Sequence, residues 1–576
     1  MFTTRHYSAF FVSLLLLLIS PWTSANLDRQ QIEQVIGYFE SRPVTGFEQF
    51  LDQLNGSPAV TAETANVISA YRSDRDLNDA QSDLLYRLLG IYTRLRYGDA
   101  ALETLQQLVA IPTYQDENIP QHENPEFHRF AAVLSALATD FGLKFRNVDD
   151  RVYEITLAGE GDELVGFHAH ADVVPVNPEL WVLEDGTRLD PLQVTRIGDR
   201  LYGRGTEDDK NGIVVSLYAM RVIQEQHLDL LRTLRLLVDT TEETIGEAIP
   251  YYFDSNPVPA YNIALDGSYP VVIAEKGFGT VMASFPVRRG SGEGAEIIHI
   301  TGGLATNQIP SAATATILST RPQQLAATLE EAGQLYRAGN GANFSIQARA
   351  ESDRVILAVQ GVSAHSSEPQ SGVNPVSRML DFLHQMDLQQ LFQHNHITDA
   401  AHYASVNWGL DYLGNTLGVA YSDAFMGPLT TAVTFIGDGE QTLRLAVNLR
   451  LPVGREPAEL LQQIESSLLA WSAASGVEVD FDLSAADPMY RNPQGAWVNA
   501  LLDIATETLD MPRKFGTSAG ATSIHDLPNG VQFGLAMPDQ KYTGHNANEF
   551  KRIDQFLLDL QIVTEAMATL GRMPGL

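Results

Sequence analysis

The sequence contains no cysteine, which excludes thiol catalysis, disulfides, thiolate-bound zinc and a lipoprotein anchor together. A metal in this chain has only His, Asp and Glu to hold it. Basic residues are also scarce, with 38 Lys and Arg against 71 Asp and Glu and a formal net charge of -33. A nucleic-acid partner is excluded on that balance, because phosphate neutralisation needs clustered cations in excess. Anionic membrane surfaces are disfavoured for the same reason, and the acidity reads most simply as a solvating surface charge. Long apolar runs are missing apart from Ala9–Ile19, which is too short to span a bilayer comfortably. Arg5 and His6 precede it, and Pro21 and Thr23-Ser24-Ala25 follow it before Asn26. This is the pattern of a cleaved signal peptide over residues 1–25, and it predicts a secreted, most simply bacterial periplasmic, protein with no membrane segment after processing.

What is present is an ordinary globular composition, 44% hydrophobic and 19% charged over 576 residues, enough chain for two or three domains. From Leu27 to Arg96 apolar residues recur at helical spacing (Ile32, Val35, Ile36, Phe39; Leu84, Leu85, Leu88, Leu89, Tyr92), and a further helix is expected over Ala101–Val109. From Phe127 helices alternate with short apolar strands, including Val152–Leu157, Leu164–Phe167, Leu234–Val238 and Ile263–Leu265. That rhythm predicts an α/β domain with a mixed, mostly parallel sheet flanked by helices. Between about 279 and 453 it loosens into strands and amphipathic helices, read as an inserted α+β lid, before the first domain resumes with a helix at Trp497–Leu509, a strand at Val531–Phe533 and a helix at Arg552–Leu570. The expected boundaries are thus 1–25, 26–97, 98–278, 279–453 and 454–576.

Five segments carry candidate chemistry, each at the carboxyl end of a predicted strand or in the loop after it, where α/β folds place ligands. In Gly166-Phe-His-Ala-His-Ala-Asp-Val-Val-Pro175, His168, His170 and Asp172 share a strand face by their spacing. A carboxylate two residues beyond a ligating histidine suits the orientation of its ring, although a buried histidine pair would look the same. Tyr202-Gly-Arg-Gly-Thr-Glu-Asp-Asp-Lys-Asn-Gly212 runs into an apolar helix but lacks the nucleotide-binding endings, leaving Asp208 and Asp209 as ligands or helix caps. Thr240-Thr-Glu-Glu-Thr-Ile-Gly246 offers Glu242 and Glu243 on one turn, suited to a base and a ligand side by side. Asp266 ends the fourth strand, and Gly544-His-Asn-Ala-Asn-Glu-Phe550 sets His545 before the last helix.

In the order and spacing of these segments, over roughly residues 98 to 571, the chain resembles the di-zinc metallopeptidases that include carboxypeptidase G, aminoacylase and succinyl-diaminopimelate desuccinylase, and in layout the dipeptidase V and carnosinase group. The resemblance implies two Zn2+ per chain, with cobalt or manganese as substitutes. His170 and Asp266 would bind one ion, Glu243 and His545 the other, and Asp208 both, often with a cis peptide after it. It implies Asp172 as the residue orienting His170 and Glu242 as the general base. In the insert, Gly361-Val-Ser-Ala-His-Ser-Ser-Glu-Pro369 resembles the lid motif whose histidine, here His365, stabilises the oxyanion. Gly302-Gly-Leu-Ala-Thr-Asn-Gln-Ile-Pro310 makes Asn307 its partner, and Arg450 matches the arginine that grips a substrate carboxylate.

The implied reaction is hydrolysis of dipeptides or short peptides with a free C-terminal carboxylate, using water activated by Glu242 at the metal pair. An N-acyl amino-acid deacylase and a catalytically silent binding protein are the alternatives on the same scaffold. The length of the insert matches the lid type that completes the site within one chain, so a monomer-competent site is expected. Phe515-Gly-Thr-Ser-Ala-Gly-Ala-Thr522 departs from the family's glycine-rich substrate loop in lacking its tyrosine and arginine. His525 and Asp526 beyond it have no assigned role, His168 reads as structural, and His394, His396 and His402 read as a solvated loop.

Overall fold

The computed structural model describes residues 27–576 other than 117, 304, 342 and 440. The expected signal segment lies outside the described residues, among which no helix is long and apolar enough to cross a membrane. Two sheets organise the rest.

The first has nine strands among the described residues. In spatial order they run Lys144–Val148, Val152–Leu157, Thr233–Asp239, Leu164–His170, Tyr261–Ala264, Gly530–Gln532, Val272–Glu275 and Met489–Tyr490, with Gly516–Ser518 also paired to Val272–Glu275. Its four central strands, from Thr233–Asp239 to Gly530–Gln532, are parallel, and the flanking pairs are largely antiparallel. Leu164–His170 is buried along nearly its whole length, as a strand covered on both faces must be. Helices Lys210–Glu225 and Ile553–Arg572 pack on this sheet and on the 31-residue helix Asp79–Val109.

That long helix runs unbroken through the expected 97/98 boundary and joins the two helices expected on either side of it. The preceding helices share one hydrophobic core with the parallel sheet, from Ile32 and Phe50 to Phe167 and Phe556. Buried Arg87 ties the ends of the chain together, pairing with Glu565 of the last helix at 3.0 Å and with Glu507 at 2.8 Å, and donating to the Leu27 carbonyl at 2.7 Å. The N-terminal helices are therefore part of the first body rather than an appendage to it.

The second sheet has eight strands among the described residues, all antiparallel, in the order Ser345–Glu351, Arg354–Gln360, Ala312–Leu318, Glu296–Gly302, Thr430–Asp438, Thr442–Leu451, Gly277–Pro286 and Asp480–Ala485. Burial alternates residue by residue along Gly277–Pro286 and Ala312–Leu318, the signature of a sheet with one packed face. Helices Pro322–Asn340, Pro375–Asp387, His396–Asn407 and Pro457–Ser475 supply its separate core. The second sheet continues past the expected end of the insert at 453. Helix Pro457–Ser475 buries Leu460, Ile464 and Leu468 in the second core, and Asp480–Ala485 pairs with Gly277–Pro286 as an edge strand.

Candidate active site

Three adjacent parallel strands end at one place. His170 closes Leu164–His170, the Glu242-Glu243 turn follows Thr233–Asp239, and Asp266 follows Tyr261–Ala264. Because these strands are neighbours running in one direction, their carboxyl ends converge without any contribution from sequence proximity. Asp208 arrives on the loop entering helix Lys210–Glu225, and His545 on the loop before Phe550–Arg552.

Asp208 stands between the two histidines. Its Oδ1 lies 2.9 Å from Nε2 of His170 and its Oδ2 lies 3.0 Å from Nε2 of His545. His545 Nε2 is also 2.9 Å from Glu243 Oε1, and His170 Nε2 is 3.8 Å from Asp266 Oδ2. Donor atoms of His170, Glu242 and Asp266, and of His170, Asp208 and Glu243, fall within 4.8 Å of one another.

Asp172 acts differently from the simplest expectation. The Nδ1 of His170 is 2.9 Å from the Asp172 backbone carbonyl and 3.5 Å from its carboxylate. The carboxylate instead accepts the backbone N–H groups of Glu242 (3.2 Å) and Glu243 (2.9 Å). One buried residue thus orients both the histidine ring and the glutamate turn.

The Asp208 loop is held from below by Glu549, which sequence reasoning missed. Glu549 Oε1 accepts the N–H groups of Gly205 (3.0 Å), Glu207 (2.9 Å) and Asp208 (3.2 Å), while Oε2 pairs with Arg204. Gly205 has a φ of +87°, a conformation that disfavours side chains. The Asp208–Asp209 peptide is cis. Neither aspartate caps the helix by its side chain. The Asp209 carboxylate packs against Gly212, where a Cβ would come within 2.4 Å of Oδ1. Tyr542, also unforeseen, donates to Asp208 Oδ2 at 2.5 Å.

Glu242, Glu243, Asp208 and Asp266 crowd one region in which, among the described residues, the last three form ion pairs only with His170 and His545. Burial, and then the neighbouring carboxylates, push Glu242 well above the usual range and Asp266 up to about 7. Burial would raise Asp208 too, but the two histidines hold it well below. A concentration of buried carboxylates and imidazoles with so little cationic charge is stabilised by a bound cation, and oxygen and nitrogen donors of this kind suit zinc, cobalt or manganese. The residues present fit a metal.

The second sheet faces this cluster. His365 lies on Ala364–His365, paired with Gln308–Ile309, and the N–H of Ser366 donates to the Asn307 carbonyl at 2.9 Å, so the two insert motifs form one small ribbon. Arg450 lies beside Asn448, whose Oδ1 accepts its Nε–H at 3.1 Å. His365, Asn307 and Arg450 line the same cleft of about 910 Å³ as Asp208, Glu242, Glu243, Asp266 and His545. Burial, with Arg450 and His545 nearby, lowers the His365 imidazole to about 4, leaving it neutral.

The remaining histidines lie elsewhere. His168 is buried against Asn262, its Nε2 2.9 Å from Oδ1, and burial lowers it to about 4. The expected solvated loop holds for His394, whose side chain is exposed, but is corrected for the other two: a helix begins at His396, which is buried with its Nδ1 3.0 Å from the Arg288 carbonyl, and His402 stacks on His384 at 5.0 Å. The apolar face of that helix closes the second core, a contact between distant segments. Asp526 is exposed.

Converging carboxylates and imidazoles at the strand ends of an α/β sheet, opposed by a second domain across a cleft, define a metal-dependent hydrolase. The model of Peptidase family M20/M25/M40 matches residues 166–569. The chain belongs to this family and is a metallopeptidase. It is 27% identical over 486 residues to a Beta-Ala-Xaa dipeptidase of Lactobacillus delbrueckii subsp. lactis, covering 82% of this chain and 96% of the relative. To YtjP of Bacillus subtilis strain 168 it is 25% identical over 485 residues, covering 83% and 98%. Human carnosine dipeptidase 1 shares the fold with a TM-score of 0.50 at 13% identity, covering 84% of this chain and 99% of that one.

Proposed function

We propose that this chain is a two-metal dipeptidase, with zinc as the first choice of ion, that cleaves dipeptides or short peptides carrying a free C-terminal carboxylate. The observation that carries this reading is the opposition, across one cleft, of the carboxylate–histidine cluster and the guanidinium of Arg450. The names of the relatives agree with it. His170, Asp266 and Asp208 would hold one ion, and His545, Glu243 and Asp208 the other. When bound, the metal supplies Lewis-acid polarisation and acidifies water.

The chain's own groups do the rest. Glu242 has no ion pair among the described residues, and its raised proton affinity suits it to take a proton from water and return it to the leaving amine. His365, neutral and lining the cleft, donates to the oxygen that gains charge, with Asn307 beside it. Arg450 receives the substrate's terminal carboxylate. All of these groups belong to one chain, which supports a site that works without a partner subunit. Residues 1–25 are proposed to direct export to the periplasm, checked by the N-terminus of the protein recovered from that compartment.

The test is a zinc-loaded protein assayed against dipeptides, their C-terminal amides and N-acetyl amino acids. Dipeptides should be cleaved, and amidation should cost roughly ten- to a hundredfold in kcat/KM through the lost Arg450 contact. Exclusive cleavage of N-acetyl amino acids would make the chain a deacylase, and no turnover of any substrate would make it a binding protein.

A further inference from the structure

The loop that departs from the family pattern rests on a buried ion pair. Glu275, at the end of Val272–Glu275, is fully buried. Its carboxylate takes Gln532 Nε2 at 2.6 Å, Thr522 Oγ1 at 2.9 Å and Thr522 N at 3.3 Å, and lies 2.7 Å from His525 Nδ1. The other ring nitrogen of His525 is 2.7 Å from the Asp487 carbonyl. A carboxylate and a carbonyl both accept, so both contacts are satisfied only by a doubly protonated ring.

Between these anchors the chain runs from strand Gly516–Ser518, whose Ser518 carbonyl accepts the Lys276 N–H at 3.0 Å, to Gly520 and Ala521, which line the cleft. The His525 ring meets Phe278 edge-on at 5.7 Å, and Phe278, partly exposed, lines the same cleft below Arg450.

We propose that the Glu275–His525 pair is a positioning device that holds the Gly516–Ala521 wall and the Phe278 ring in place against the substrate, so that it governs substrate affinity without touching the reacting atoms. The small residues Ala519, Gly520 and Ala521 have no long side chain with which to anchor themselves. The anchoring is transferred to Thr522 and His525, both of which hold the Glu275 carboxylate. The charged groups facing His525 are Glu275, exposed Asp526 and Arg491, which donates to the His525 carbonyl at 2.8 Å, together with Asp487. Burial lowers the His525 pKa, but the contacts with Glu275 and the Asp487 carbonyl outweigh it and leave it above 6.5. A group raised in the folded state contributes its stabilisation at low pH and loses it as pH rises through the folded value. The wall therefore loosens on the alkaline side.

Three measurements test this on the full zinc-loaded chain. In His525→Gln, KM for a cleaved dipeptide should rise about tenfold with kcat within about twofold and zinc content unchanged. Hydrogen-exchange protection of residues 516–527 should fall, while residues 164–170 keep theirs. In the wild type, protection of 516–527 should fall as pH is raised beyond the ordinary histidine range, and in His525→Gln it should show no such step. Glu275→Gln keeps the shape and removes the charge, so it should reproduce the effect if His525→Gln does not fold. Unchanged protection at 516–527 in a folded variant, or no alkaline step in the wild type, overturns the proposal. The KM measurement rests on the dipeptidase reading, whereas hydrogen exchange does not, so the two can fail separately.

Discussion

Strand Leu164–His170 delivers its chemistry only at its carboxyl end, whereas Thr442–Leu451, likewise buried over most of its length, turns Asn448 and Arg450, two residues apart, to the cleft. The difference follows from sheet type. A parallel sheet covered on both faces has only its ends open, so His170, the Glu242-Glu243 turn and Asp266 gather there. An antiparallel strand with one face on a cleft can present residues along its length at a spacing of two. The first wall concentrates negative charge and the second supplies Arg450, neutral His365 and amides. On the proposed reading, a dipolar substrate between them would meet the candidate metal ligands on one side and donors on the other.

The sharpest way to break this division is at Glu242. Glu242→Gln should lower kcat by about 10²- to 10⁴-fold while metal analysis finds the wild-type content, because the base is distinct from the ligands. Near-normal turnover would remove Glu242 from its role. On the opposite wall, His365→Ala should cost about 10²- to 10³-fold in kcat, again with metal retained and KM little changed. Loss of metal in that variant would mean that the second wall helps to hold the ions, and the division would fail.

The smallest effect on turnover is expected far from both walls. Arg87→Met leaves Glu565 buried without its partner and should destabilise the fold by about 3–5 kcal/mol. At low temperature, rates should stay at wild-type level. A matching loss of turnover below the melting transition would show that the N-terminal helices shape the cleft itself.

Much of the site was legible because its chemistry leaves local marks: a histidine and carboxylate two apart on a strand, paired glutamates after a strand, a glycine-rich turn into a helix. What Asp172 does was only half legible. Its spacing predicts contact with His170, but the N–H groups of Glu242 and Glu243 that occupy its carboxylate lie 70 and 71 residues away. Glu549 and Tyr542 had no local mark at all, being 341 and 334 residues from Asp208. The end of the second sheet was missed for a similar reason. Phe481, Leu483 and Ala485 alternate as an edge strand should, but their partner begins at Gly279.

Composition and motif order by themselves determined the class: without cysteine, any metal must lie among His, Asp and Glu, and their placement at predicted strand ends implied one site. The tertiary structure decided which groups hold that site in shape. Asp208 between two histidines, Glu549 beneath its loop, and the Glu275–His525 pair under the altered substrate wall all depend on contacts across hundreds of residues. Such contacts arise only when packed strands and helices bring distant segments together, so periodicity and spacing along the chain do not encode them.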